Sequence, residues 1–172
     1  MADLPTIRQF LIDAIDAEEG ATRRTLERIP QERWDWAPHE RSMPMGRLAG
    51  WVAGALGAIP DVLRRDFVDI ATGWGDMPPR PTAAAELVPT FDAAVRRARD
   101  ALAQASDDVL AGPWSLRQGD AVLDGPSPRY KVVHGFLIVD LIHHRAQLGV
   151  GLRLCGVPVP AVYGPSADEG GA

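Results

Sequence analysis

The chain has 172 residues, 46% hydrophobic and 24% charged, a size and composition typical of a single domain with its own core. Its 18 Lys and Arg against 23 Asp and Glu give a formal charge of -5, so we expect neither nucleic acid nor a membrane surface as a partner. A single cysteine, Cys155, excludes an intramolecular disulfide and a cysteine-rich zinc module. No stretch resembles a signal peptide or a membrane span, and we therefore expect a cytoplasmic protein.

The N-terminal segment predicts a helix followed by an ordered loop. Apolar residues recur at three- and four-residue spacing over about residues 6–29, with Thr6 and Gln9 placed as a capping box. Residues 31–44 contain two tryptophans and two prolines but no sustained period. We expect the tryptophans to anchor that loop.

The middle of the chain predicts two more helices joined by a long crossover. The second helix is expected over about residues 45–67, with a kink at Pro60. Glycines and prolines over residues 70–81 predict the crossover loop, and Thr82 is a natural N-cap for a third helix that ends near residue 106.

The C-terminal third predicts a short hairpin and the longest apolar helix. Two extended arms within residues 114–123 flank a Gln-Gly-Asp turn. The fourth helix is expected to begin near Ser127 to Arg129 and to run to Cys155, with Gly156 as its stop. The tail, residues 157–172, is rich in proline and glycine and should be extended and frayed at its last residues.

Four helices, a long crossover and little strand predict an all-α helical bundle. We treat residues 1–172 as one domain, with the bundle over about residues 6–156 and the tail after it.

The fourth helix carries the candidate chemistry. Asp140 and His144 lie in its apolar stripe or at the edge, and residues four apart on a helix point toward the same place. A carboxylate beside an imidazole suits a divalent-metal site or a general acid–base pair, but it also describes an ordinary Asp–His hydrogen bond. Arg145 is either a binding group for a carboxylate or phosphate near one mouth of the bundle or part of a solvated basic face.

Several segments together resemble those of one protein family. They are WDWAP and RSMPMGRLA, HHRAQL, and YGPSADE, at residues 34–38 and 41–49, 143–148, and 163–169. In their order and spacing they resemble the DinB family of bacterial four-helix-bundle metalloproteins, which includes thiol-dependent transferases and maleylpyruvate isomerase. The resemblance implies an up-down-down-up bundle and a homodimer.

The same resemblance implies a metal site that has changed in this chain. Family members hold a divalent metal, often nickel or zinc, on three histidines, and the matching positions here are Trp51, Asp140 and His144. Asp140 can still coordinate through oxygen, whereas an indole N–H donates and offers no lone pair to a metal. We therefore expect weak or absent metal binding, with Trp51 filling the cavity while Asp140 and His144 pair with each other.

The sequence leaves three functions open. The first is a metal-dependent transferase or hydrolase for a small thiol adduct or metabolite, with Asp140 and His144 as metal ligands or as an acid–base pair. The second is a metal-free small-molecule-binding or stress-responsive bundle, with Trp51 and Arg145 contacting the ligand. The third is a structural dimer whose exposed apolar helix faces pair with a second copy.

Overall fold

The computed structural model describes residues 5–73 and 79–170, and helix is their dominant secondary structure. The α-helices are α1 (Ile7–Glu27), α2 (Met45–Gly54), α3 (Ile59–Arg64), α4 (Leu87–Gln104), α5 (Asp107–Ala111), α6 (Arg129–Val132) and α7 (Val139–Leu154). The strands are β1 (Phe67–Asp69), β2 (Pro113–Gln118) and β3 (Ala121–Pro128). Within the two described ranges, no helix combines the length and apolar character needed to cross a membrane.

Helix α1 confirms the first predicted helix, but its capping box is only half formed. The backbone N–H of Gln9 donates to Thr6 Oγ1 at 3.1 Å. The Gln9 side chain donates to Asp13 Oδ1 at 2.7 Å and does not return to Thr6. Thr6 is therefore a simple N-cap.

The second predicted helix is divided, and the predicted kink is in the wrong place. A 3-10 turn, Ala55–Ala58, separates α2 from α3, so the break lies ahead of Pro60. Pro60 occupies the first turn of α3, where its missing N–H leaves no helical hydrogen bond unmade. The helix also ends at Arg64, before the expected residue 67.

The predicted hairpin is present and has a third strand beside it. Strands β2 and β3 pair antiparallel, and the turn between them includes Gly119, whose φ is +58°. Strand β1 pairs parallel with β2, although residues 67–69 are too few to show strand periodicity. The fold is therefore mostly helical with a small three-stranded sheet, and not purely α.

The third predicted helix begins later than expected, whereas the last one begins at Arg129, within the expected range. Helix α4 begins at Leu87, and Thr82 is not its cap: the Thr82 N–H instead donates to Glu86 Oε2 at 2.7 Å. Residues 74–78 of the predicted crossover lie outside the described residues. The last helix comprises α6, a π-helix and α7, and Gly156 follows its end with a φ of +72°.

The core lies where α4 packs against α1, α2 and α3, and α7 packs against α1 and α2. Its largest fully buried side chains include Leu11, Ile15, Leu26, Phe91, Leu102, Leu141, Leu148 and Leu152. The tail is attached to the helical body as far as Glu169, through Arg153–Asp168 and Arg28–Glu169 ion pairs, and fraying of its last two residues stays a prediction. Residues 171–172 lie outside the described part.

Candidate functional site

The packing of α2 against α7 brings Trp51, Asp140 and His144 together. Trp51 Nε1 donates a hydrogen bond to Asp140 Oδ2 at 2.8 Å. The other oxygen, Asp140 Oδ1, lies 3.4 Å from His144 Nε2. The Trp51 and His144 rings meet edge to face, with their centroids 6.3 Å apart. Asp140 is therefore in contact with both of the other residues.

A chain of polar contacts continues from His144 toward the surface. His144 Nδ1 is 3.0 Å from Gln147 Oε1, and Gln147 Nε2 is 3.1 Å from His143 Nε2. Since an amide oxygen can only accept, this arrangement has the N–H of His144 Nδ1 donating to Gln147. Sequence reasoning missed Gln147; its signal was the three-residue spacing from His144, which places both side chains on one face of α7.

The residues at this position do not fit a metal. A closed metal site needs several lone-pair donors directed at one point. Trp51 instead directs an N–H at Asp140, and the indole has no lone pair to offer. Among the described residues, no group of three or more His, Cys, Asp or Glu side chains is arranged to hold a metal ion. Asp140 and His144 alone remain as possible ligands.

His144 also lines a pocket of about 550 Å³, which Trp51 does not reach. The pocket lies between α2, α7 and the loop of residues 31–44 that carries Trp34 and Trp36, here called the tryptophan loop. Its wall is largely apolar, including Trp36, Pro38, Met43, Met45, Leu48 and Val150. Its polar side chains are Arg41, Ser42, His144 and Gln147. This size and mixture are typical of a small-molecule site.

Trp51, expected to contact a ligand, does not line this large pocket, and the tryptophan in its wall is Trp36. Trp51 instead lines a crevice of about 20 Å³, where the Arg80 guanidinium lies 5.4 Å from the centre of its ring. The indole therefore lies between α7 and the end of the predicted crossover, residues 79–81. Its part in ligand binding stays a prediction.

The start of α2 holds Trp36 in the pocket wall. Pro44, the N-cap residue, has no side-chain hydrogen bond to offer the first amides of the helix. The Trp36 and Trp34 carbonyls accept from the N–H groups of Met45 and Gly46 instead, both at 2.8 Å. The loop and the helix thus fix each other.

Arg145 is buried and is therefore not part of a solvated face, whereas its part in ligand binding stays a prediction; it lines a separate cavity of about 480 Å³. Its side chain is 3% exposed and forms an ion pair with Glu18 Oε2 at 2.6 Å. It also donates to Thr22 Oγ1 at 2.9 Å and to the Tyr163 hydroxyl at 3.0 Å. Burial and the Glu18 carboxylate raise the pKa of that hydroxyl. The guanidinium joins α1, α7 and the tail.

Comparison with known proteins identifies relatives along almost the whole chain. The sequence model of the DinB family matches residues 8–170. The uncharacterized protein YrdA of Bacillus subtilis is 26% identical over 167 residues, which cover 95% of this chain and 92% of YrdA.

Two crystal structures show the same fold. A DinB-like protein from Bacillus cereus superimposes with a TM-score of 0.68 at 22% identity, covering 89% of this chain and 95% of that one. A DinB-like protein of Bacillus subtilis, YjoA, gives a TM-score of 0.66 at 16% identity, covering 89% and 96%. At these identities the likeness is evidence for the fold alone.

Proposed function

The chain belongs to the DinB family, and we propose that it is a metal-independent member that binds a small molecule in the pocket beside His144. The observation that carries the proposal is the hydrogen bond from Trp51 Nε1 to Asp140 Oδ2. In the family, the resemblance places a metal-binding histidine at position 51. Here Trp51 at that position donates a hydrogen bond to Asp140 instead.

Electrostatics support this interpretation. The side chains of Asp140 and His144 are 29% and 19% exposed, so each has lost most of its contact with water. A partly desolvated carboxylate needs donors or positive charge, which a metal supplies in other proteins. Here the indole N–H of Trp51 meets part of that need.

The shape of the pocket also supports binding. The wall formed by Trp36, Met43 and Met45 is apolar, and the loop that carries Trp36 is fixed by hydrogen bonds to α2. A wall that is already ordered costs little conformational entropy when a ligand binds.

The second candidate, a metal-dependent transferase or hydrolase, has one observation in its favour. Asp140 Oδ1 and His144 Nε2 are 3.4 Å apart, close enough for an acid–base pair to act together once a substrate tightens the contact. We regard Asp140 and His144 as the catalytic residues in that case, with nickel or zinc as the metal.

The finer architecture is part of the proposal. We infer that α1, the α2–α3 segment, α4 and the last helix form an up-down-down-up four-helix bundle. The pairwise packing of α1 and α2 against both α4 and α7 supports it. We also propose a cytoplasmic homodimer; two exposed apolar residues of α7 outside the pocket, Val139 and Leu154, support a face that a second copy covers.

The test is ligand binding with and without a chelator, followed by NMR on the indole N–H signals. A mixture of small apolar metabolites should shift the Trp36 signal and leave that of Trp114 in β2 unchanged, because Trp36 lines the pocket and Trp114 does not. The shift should be the same when EDTA is present. A Trp36 shift that requires added Ni²⁺ or Zn²⁺ would favour the metal-dependent enzyme and contradict the proposal.

A further inference from the structure

We propose that the pocket beside His144 takes a small monocarboxylate with an apolar body, and that Arg41 binds the carboxylate. The inference rests on the proposed function, because it names the class of ligand for the same pocket. It depends on the charge and the partners of the residues that line the pocket.

The pocket favours an anion although the protein is acidic. The chain has a formal charge of -5, yet the residues lining this cavity include Arg41 and no Asp or Glu. The rest of the wall is dominated by aliphatic and aromatic side chains. Such a wall suits an apolar body with one charged group, since a second buried charge would have no partner.

Arg41 differs from other arginines of the molecule. Arg28, Arg99 and Arg153 each form ion pairs with acidic side chains. Arg41 is exposed, and in the described part of the chain its guanidinium has no acidic partner. A guanidinium can donate two parallel hydrogen bonds to one carboxylate, which is the usual way that arginine binds such a ligand.

The loop that carries Arg41 is ordered. The Arg41 N–H donates to His39 Nδ1 at 3.1 Å, and the Ser42 N–H donates to the His39 carbonyl at 2.9 Å. The polar groups of His144 and Gln147 are engaged with each other at the opposite wall. Arg41, with the Ser42 hydroxyl beside it, is therefore the charged donor available to a carboxylate.

The experiment compares 3-phenylpropanoate with 3-phenylpropan-1-ol, which share an apolar body and differ in charge. Both are titrated calorimetrically into the wild-type protein in EDTA. We expect the carboxylate to bind at least about tenfold more tightly than the alcohol, because charge-assisted hydrogen bonds are the stronger kind. Arg41→Gln should abolish that preference. Arg47→Gln, in an exposed arginine of α2 that does not line this pocket, should keep it.

The outcomes separate this inference from the proposed function. Equal binding of the two compounds by the wild type would overturn the carboxylate preference and leave the pocket as a binding site. A preference that survives Arg41→Gln would overturn the role of Arg41. If neither compound binds, the inference fails, and the proposed function is judged by the Trp36 signal with the metabolite mixture. Circular dichroism confirms that both variants are folded.

Discussion

The residue at position 51 decides which kind of contact the Asp140 carboxylate makes. One of its oxygens accepts from Trp51 Nε1 at 2.8 Å, and the other lies 3.4 Å from His144 Nε2. A histidine at position 51 would present a lone pair, whereas the tryptophan presents a hydrogen. The same carboxylate is thus a hydrogen-bond acceptor for the residue at position 51 in this chain.

Arg145 gives the sharpest prediction at the scale of single residues. Arg145→Met removes the charge and leaves the Glu18 carboxylate, which is 13% exposed, without its cation. Breaking a buried pair in this way should lower the free energy of unfolding by about 3 kcal/mol, measured by urea denaturation.

The control is Arg153→Met, because Arg153 is 52% exposed and pairs with Asp168 at the surface. A surface pair contributes little, so the loss should be below about 1 kcal/mol. Equal losses in the two variants would contradict the structural role given to Arg145.

Single residues also show what sequence can and cannot predict. The contact between Asp140 and His144 was predictable, because a spacing of four within one helix is set locally. The burial of Arg145 was not, since its partner Thr22 lies 123 residues away and only the packing of α1 against α7 brings the two together. Long-range pairs leave no local pattern.

At the scale of elements, the tryptophan loop and α2 behave as one unit. The ring of Trp34 lies directly over Gly46, so that a Cβ added to this glycine would be 2.2 Å from ring carbons. At Gly50, one turn later, an added Cβ would only touch Pro81 at 3.7 Å. The glycine at position 46 is thus what allows the loop to lie against the helix.

Gly46→Ala should therefore destabilise the protein, and Gly50→Ala should not. The first variant has to displace the Trp34 ring, and overpacking of this kind costs about 1–3 kcal/mol. The second should be neutral or stabilising, because alanine favours a helix by about 0.5–1 kcal/mol over glycine. The measurement is the Tm of both variants by thermal unfolding, which should fall for Gly46→Ala only. An unchanged Tm for Gly46→Ala would show that the contact with the Trp34 ring is unimportant.

The last helix shows why element boundaries are difficult to predict. Its apolar residues keep a helical period despite Asp140 and His144 in or beside the stripe, and the sequence therefore predicted a single α-helix. The structure has a π-helix, Val133–Ile138, directly before the turn that carries Asp140. A π-turn widens the helix and shifts the angular position of everything after it. The direction of Asp140 toward Trp51 thus depends on a feature that periodicity does not reveal.

At the scale of the whole molecule, the tail connects elements that are distant in sequence. Asp168 pairs with Arg153 of α7 and accepts from the Val159 N–H at 2.8 Å. Glu169 pairs with Arg28 after α1 and accepts from the Ala161 N–H at 2.9 Å. Composition predicted an extended tail but not these attachments, because proline and glycine indicate loops and not the partners of the carboxylates between them.

These carboxylates make attachment of the tail dependent on pH. The Arg153 guanidinium lowers the pKa of Asp168, and the Ala161 N–H together with Arg28 lowers the pKa of Glu169. A carboxyl group whose pKa is lower in the folded state stabilises that state above its unfolded pKa, and the contribution is lost as the pH falls through the folded value. The tail should therefore be attached at neutral pH and loosen below about pH 4.

The amide signals of Val159 and Ala161 report this transition by NMR. Both should shift with midpoints below the ordinary carboxyl values of 3.8 and 4.5 for Asp168 and Glu169. Asp168→Asn should remove the transition at Val159 and keep the one at Ala161. Midpoints at or above the ordinary values would contradict the attachment.

The claim that Trp51 replaces a metal with a hydrogen bond is tested most directly by metal content. Protein without a histidine tag is loaded with Ni²⁺ or Zn²⁺, desalted and analysed, for the wild type and for Trp51→His. The wild type should retain less than about a tenth of an equivalent, and the variant, with a third ligand beside Asp140 and His144, about one. A full equivalent in the wild type that His144→Ala removes would contradict the account.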